Sequence, residues 1–219
     1  MANLTERCRE LATAAMKDGI ADAAIEVLKR HGYNGLTMDR VAEAAGVAKG
    51  SIYNYFSGKQ DLVTHIFDRI IEPAMKRGDE IASSAQPALA KLQATLQMWF
   101  DLFAEHRGLF DFLFRQPQVR EICFEARRKR DRHTIERISG ILRQGIDEGV
   151  VRPLDVETAA ELLIGATNFL IERQLDTGDR RDGQECVQHI LDTFLRGFLT
   201  DSARTQRSNS QIDELTDAG

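Results

Sequence analysis

Lys49, Ser51, Tyr53, Asn54 and Tyr55 stand within seven residues of one another, and they are equipped to hydrogen-bond rather than to break bonds. The ammonium can neutralise a phosphate. The hydroxyl and the carboxamide can meet base edges or phosphate oxygens. Each phenol joins an aromatic face to a donor that reaches a phosphate. Gly50, in their midst, lets the backbone come close to whatever they touch. Lys59 lies just beyond, at the start of a following helix, where free backbone N–H groups and its own charge attract a phosphate together.

These side chains need a rigid frame, and the flanking residues describe one. Thr37 can cap a short helix that runs to about Ala45, with Met38, Val41, Ala42 and Ala45 on its inner face. Gly46 then ends it as a left-handed residue. A second short helix is expected from Lys49 to Phe56, with Ile52 and Phe56 facing inward and Val47 plugging the space between. Two short helices joined by a tight turn form a helix-turn-helix, whose second helix enters the major groove of DNA. By generic pattern alone the segment could also be a helical hairpin with a polar outer face. Upstream, Leu4, Cys8, Leu11 and Ala15, then Ile20, Ala24, Ile25 and Leu28, recur at helical spacing before Gly32 stops the run. They fit one long helix, or two joined near Asp18 and Gly19. Downstream, Ser57-Gly58-Lys59-Gln60 reads as a capping box. The helix it opens carries Leu62, Ile66, Ile70 and Ile71 and is expected to weaken near Pro73.

Gly32-Tyr33, Thr37, Val41-Ala42, Ala45-Gly46-Val47-Ala48, Gly50, Tyr53, Tyr55-Phe56, Lys59 and Leu62 resemble the signature of the tetracycline-repressor (TetR) family over residues 14–74. The resemblance implies a reading head from Thr37 to Phe56 and a symmetric homodimer on a palindromic operator in double-stranded DNA. It implies that Thr37, Tyr53, Tyr55 and Lys59 touch the DNA backbone, while Lys49, Gly50, Ser51 and Asn54 lie at or near the bases. It also implies a repressor released by a small-molecule effector. A ligand-dependent activator of the same fold, or a helical protein-interaction module without DNA binding, are the alternatives. Ala48 departs from the family's frequent Ser or Thr cap, at a cost of about 1 kcal/mol. Residues 1–13 exceed the shared core; Arg7 and Arg9 there either reach DNA or sit on a solvated helical turn.

The rest of the chain also has helical periodicity, with no convincing strand and no internal repeat, so the expected fold is all-α: a three-helix DNA-binding domain at 14–74, a helical bundle for sensing and dimerisation at 75–202, and a polar, mobile tail at 203–219. Bulky aromatics crowd the middle of the chain: Trp99, Phe100, Phe103, Phe110, Phe112, Phe114 and Phe124. They form either plain core or the wall of a cavity between helices. The candidate pocket comprises Trp99, Phe100, Phe103, His106, Phe110, Phe114, Arg127 and Asn168, suited to an apolar or aromatic small molecule. A helix after Asp155 and a last helix with a wide apolar stripe suggest burial against two neighbours, one in a second subunit. The candidate interface is Leu163, Ala166, Leu170, Leu191, Phe194, Leu195 and Phe198.

Bulk properties bound these expectations. The 219 residues carry a net charge of −5. The first 60 contain eight Lys/Arg and seven Asp/Glu, so DNA binding must come from a few placed cations rather than a basic coat. Nothing approaches the roughly 20 apolar residues of a membrane span, and the N-terminus does not read as a signal peptide. Cys8, Cys123 and Cys186 are odd in number and far apart, which fits reduced thiols in the cytoplasm and no metal site. There is no nucleophile elbow, P-loop, HExxH or dinucleotide glycine pattern, so neither an enzyme nor a cofactor is expected.

Overall fold

The structure, a computed structural model, describes residues 3–114, 117–178 and 181–196. The expectations for the side chains of Phe112, Phe114, Cys123 and Arg127, and for Phe198 and the tail, lie outside the described residues. In chain order the elements are α1 (Leu4–Gly35), α2 (Met38–Ala45), α3 (Lys49–Ile52), α4 (Lys59–Ser83), α5 (Ala88–Glu105), α6 (Arg107–Phe114), α7 (Pro117–Asp147), α8 (Val156–Thr177) and α9 (Gly183–Arg196). Among the described residues there is no strand, no helix long and apolar enough to cross a membrane, and no cluster suited to a metal ion.

The two upstream apolar runs form one helix that passes straight through Asp18 and Gly19; only Gly32, at φ 70° and ψ 176°, interrupts it. Its first turns, Leu4 to Met16, are exposed, and burial begins at Ile20. Ile20, Ala24 and Leu28 then meet Leu36, Val41, Ala42, Ile52, Phe56, Leu62 and Ile66 in the core of the head.

The helix that opens at Lys59 departs from expectation at both ends. Its N-terminus holds a different reciprocal bond: the Asp61 carboxylate, not Gln60, reaches back and accepts from the Ser57 N–H at 2.8 Å and its hydroxyl at 3.1 Å. The helix also does not weaken at Pro73 but continues to Ser83. Packing explains why. Ile70, Ile71, Ala74, Met75 and Ile81 stay buried on both sides of the proline, and α7 holds the second half. Arg137 is 3% exposed and donates from Nη1 to the Met75 carbonyl and the Asp79 carboxylate, both at 3.1 Å. Gly78 makes room for it, since a Cβ there would come within 2.6 Å of the guanidinium carbon. Desolvation acts to raise the Asp79 pKa, but hydrogen bonds from Arg137 and His133 outweigh it and hold the carboxyl below the usual range.

Caps further along fix the bundle. Asp155 accepts from the N–H groups of Glu157 and Thr158 at the start of α8, as its position after Pro153 suggests. Glu148 accepts from the Ala88 N–H at the start of α5. Both carboxyls lie below their ordinary range, Asp155 chiefly through the Thr158 hydroxyl and Glu148 chiefly through the Ala88 N–H. A carboxyl depressed on folding adds stability that is complete above its unfolded pKa and is lost as pH falls through the folded one. Urea midpoints should therefore drop on acidification below the carboxylate range. Asp155→Asn, which keeps a cap but cannot titrate, should show a shallower drop than the parent; an identical acid slope would refute the assignment.

Candidate nucleic-acid interface and cavity

The interface is built by α2, the turn and α3. The Thr37 hydroxyl accepts from the Arg40 N–H at 3.3 Å, closing the first turn of α2. Gly46 ends α2 with φ 67°, a left-handed conformation that a residue with a Cβ adopts only under strain. The Val47 N–H then returns to the Ala42 carbonyl at 2.9 Å. The chain is thereby turned so that Ile52 and Phe56 enter the core, at 0% and 1% exposure.

α3 itself is shorter than expected, four residues from Lys49 to Ile52. The Asn54 and Tyr55 N–H groups bond three residues back, to Ser51 and Ile52, so the expected helix tightens into turns before Phe56. Its end is set by the burial of Phe56, whose N–H bonds the Ile52 carbonyl at 3.0 Å. Thr37, Lys49, Gly50, Tyr53 and Asn54 all face solvent, while Ser51 and Tyr55 are half-buried. Such an arrangement presents donors and a phenol on one surface, as contact with phosphates and base edges needs.

Both lysines are less free than the sequence implies. Lys49 Nζ lies 2.6 Å from Asp39 Oδ2, and this hydrogen bond raises the lysine pKa. Asp39 thus occupies the cation that a phosphate would use and adds a repelling charge beside it. Asp39→Asn should strengthen DNA binding several-fold and steepen its salt dependence by up to about one unit of log K per log salt. Fluorescence anisotropy across a salt series would check this, and weaker binding at low salt would contradict it. Lys59 is half-buried: it donates to the Tyr33 carbonyl and sits 3.4 Å from the centre of the Tyr33 ring. Burial lowers its pKa and raises that of Tyr33. It clamps α1 to the start of α4, a role the sequence did not reveal.

The cavity lies between α4, α5, α7 and α8. Phe67, Ile71 and Met75 of α4 face Trp99 and Phe103 of α5, Phe124, Arg130 and Thr134 of α7, and Thr167, Asn168 and Ile171 of α8. Its volume is about 70 Å³, well below the roughly 300–1,000 Å³ usual for sites that hold drug-sized ligands. Of the sequence candidates, Trp99, Phe103 and Asn168 are on the wall. Phe110 is fully buried behind it, stacked on Phe103 at 4.3 Å and edge-on to Phe67 at 6.3 Å. His106 meets Phe110 edge-on at 6.4 Å and does not line the cavity. Phe100 turns from the cavity towards α9, where a Cβ on Gly183 would come within 2.8 Å of it. The α4 wall is absent from the sequence candidates, which follow the aromatic cluster of residues 99–124. The signal was present in Phe67, Ile71 and Met75, each four residues from the next.

The candidate interface residues divide sharply. Leu163 and Leu191 are 2% and 7% exposed and belong to the protomer's own core, while Ala166 and Leu170 are half-buried. The residues left open are Leu162 and Phe169 on α8 and Phe194 and Leu195 on α9. The apolar face of α8 is therefore rotated by one residue from the one the sequence suggested.

Comparison with known proteins gives the family and the fold. A family model described as bacterial regulatory proteins, tetR family, matches residues 20–66. A second, described as tetracyclin repressor-like, C-terminal domain, matches residues 85–198. The chain is 27% identical over 183 residues to the fatty acid metabolism regulator protein of Bacillus subtilis, covering 82% of this chain and 93% of that one. It is 27% identical over 184 residues to the regulator TtgR of Pseudomonas putida, covering 80% and 88%. Among solved structures, the transcriptional regulator FadR from Bacillus subtilis in complex with stearoyl-CoA superposes with a TM-score of 0.66 at 26% identity, covering 83% of this chain and 98% of that one.

Proposed function

The chain belongs to the TetR family of bacterial regulatory proteins, as a ligand-responsive, DNA-binding transcriptional repressor, and from that premise we propose that it acts as a cytoplasmic homodimer that leaves a palindromic operator when an effector with an apolar chain enters its cavity. In this reading residues 14–74 form the head and 75–202 the sensing and dimerising body. Thr37, Lys49, Gly50, Ser51, Tyr53, Asn54 and Tyr55 face the DNA, and Lys59 joins them if it leaves Tyr33.

The observation that carries the proposal is the continuity of α4. Leu62, Val63 and Ile66 of this helix lie in the head's core, and Phe67, Ile71 and Met75 of the same helix wall the cavity. A cavity of about 70 Å³ has to widen to admit an effector, and widening it displaces α4. Arg69 transmits that displacement: its Nη1 donates to the Asp18 carbonyl at 3.0 Å and its Nη2 to the Asp22 carboxylate at 2.6 Å, both on α1. The heads of a dimer would then lose the spacing that fits two successive major grooves. Leu162, Ala166 and Phe169 of α8, with Phe194 and Leu195 of α9, supply the apolar face between subunits. The mostly apolar cavity, together with a relative solved with stearoyl-CoA, makes long-chain acyl compounds the first effectors to try.

The test has two stages. DNA selected by the protein from random pools should converge on an inverted repeat. Acyl-CoA added to that complex should release the DNA while changing the fluorescence of Trp99, the sole tryptophan. Selection without a consensus would reject the operator reading; release without a change at Trp99 would reject the cavity.

A further inference from the structure

One cavity-facing group has hydrogen-bonding capacity that the fold leaves unused. Arg130 of α7 lines the cavity and points its Nη1 at Asp68 Oδ1 of α4, 2.5 Å away. Its guanidinium lies 5.2 Å from the centre of the Phe67 ring, itself on the cavity wall. Its Nη2 is buried and has no hydrogen-bond partner among the described residues. A buried donor without an acceptor is costly, and a guanidinium offers its donors in a flat fork that suits the oxygens of an acidic or acyl head group. The walls elsewhere are largely hydrocarbon and aromatic, including Leu96, Trp99, Ile138 and Ile164, with the acidic residues Asp131 and Glu172 also on the lining.

We propose that Arg130 receives an oxygen-bearing head group of the effector, so that the ligand is an amphiphile with an apolar chain and an acceptor at one end, and that the same contact works the switch. This rests on the reading above that the cavity takes the effector. Asp68 holds Nη1 and the effector takes Nη2, so the two share the charge of one guanidinium. When effector oxygens engage Arg130, its hold on Asp68 slackens. Asp68 is flanked by Phe67, which touches the cavity, and by Arg69, which grips α1 through Asp18 and Asp22. Loosening the pair frees the stretch of α4 that carries the head. The ligand therefore does two things with one contact: it satisfies the vacant donor and unlatches the helix.

The experiment compares laurate, lauroyl-CoA and the neutral chain dodecanol on the parent protein, Arg130→Met, Arg130→Lys and Asp68→Asn. Trp99 fluorescence reads binding, and anisotropy of the selected DNA reads release. Circular dichroism and urea midpoints establish that each variant is folded. In the parent, laurate or lauroyl-CoA should bind at least tenfold tighter than dodecanol; which of the two does so separates a free carboxylate from an acyl thioester as the head group. Arg130→Met should lose that preference, with Arg130→Lys recovering only part of it. Asp68→Asn should bind the preferred ligand several-fold tighter and release DNA at correspondingly lower ligand concentration. A folded Arg130→Met that keeps the parent's preference within twofold would overturn the assignment while leaving the cavity reading intact. An unchanged release midpoint in Asp68→Asn would overturn the latch. No Trp99 response to any of the three ligands in the parent would overturn both the assignment and the acyl-effector reading beneath it.

Discussion

Phe56→Ala should cost about 3–5 kcal/mol of stability, and DNA binding should fail with it. The ring is 1% exposed. It tilts against His65 of α4 at 5.2 Å, and Lys17 of α1 hovers 5.6 Å from its centre. One side chain thus holds the end of the reading segment against two other helices. A whole domain is stable by only about 5–15 kcal/mol, so the loss is a large share of what keeps the head closed. The expected result is a lower urea midpoint together with loss of retardation on the selected DNA, and a milder effect from Phe56→Leu, which keeps most of the volume. A loss below about 1 kcal/mol would show that the turn between Tyr53 and Ser57 holds itself in place without the ring, against the general scale of such substitutions.

Phe169→Glu should dissociate the proposed dimer without unfolding the protomer. Phe169 is 63% exposed and Leu162, seven residues earlier on the same face of α8, is 57% exposed. Aromatic anchors at the centre of an interface commonly carry 2 kcal/mol or more each, about a thirtyfold rise in dissociation constant, and a buried unpaired carboxylate adds to it. Sedimentation at micromolar concentration should show monomer, with an unchanged urea transition extrapolated for the protomer. Leu163→Ala should do the reverse. That residue is 2% exposed, so its truncation should cost about 2–5 kcal/mol of protomer stability and leave association largely intact. A Phe169→Glu protein that stays dimeric would move the interface away from this face.

These two neighbours, Leu162 and Leu163, also mark where sequence reasoning runs out. A step of one residue turns a helix face by about 100°. The run Leu162-Leu163-Ile164-Gly165-Ala166 is apolar on more than one face, so periodicity cannot say which face is core. The head was far more legible. Thr37 and Gly46 are local signals whose chemistry decides the backbone at that point, and both act as their residue types suggest. Ala48 takes the cap position of α3 without a side-chain cap, which the short helix tolerates. α3 is shorter than its residues suggest because Tyr53 and Tyr55 continue the polar and aromatic pattern of its outer face, whereas the tightening depends on where the Phe56 ring must go. Pro73 misled in the opposite sense. A missing donor is a local weakness, but α4 is held from outside by Arg137 on Gly78, and long-range packing overrides it. The cavity was only half visible for the same reason: Trp99 and Phe103 announce themselves by size, while Arg130 and Asp68 become a site only when α7 and α4 meet.

The narrow cavity has a consequence for what the cell can report through this protein. On the effector reading, parting α4 from α7 and α8 is a fixed cost, the same whichever guest does it. The return grows with the guest, at about 0.8 kcal/mol for each methylene buried. A short chain must be about fourfold more abundant for each methylene it lacks to reach the same occupancy. Occupancy should therefore rise steeply past a threshold chain length. The slot between the helices acts as a length gauge, and the response of the genes it controls would follow the size of the available chains as well as their amount.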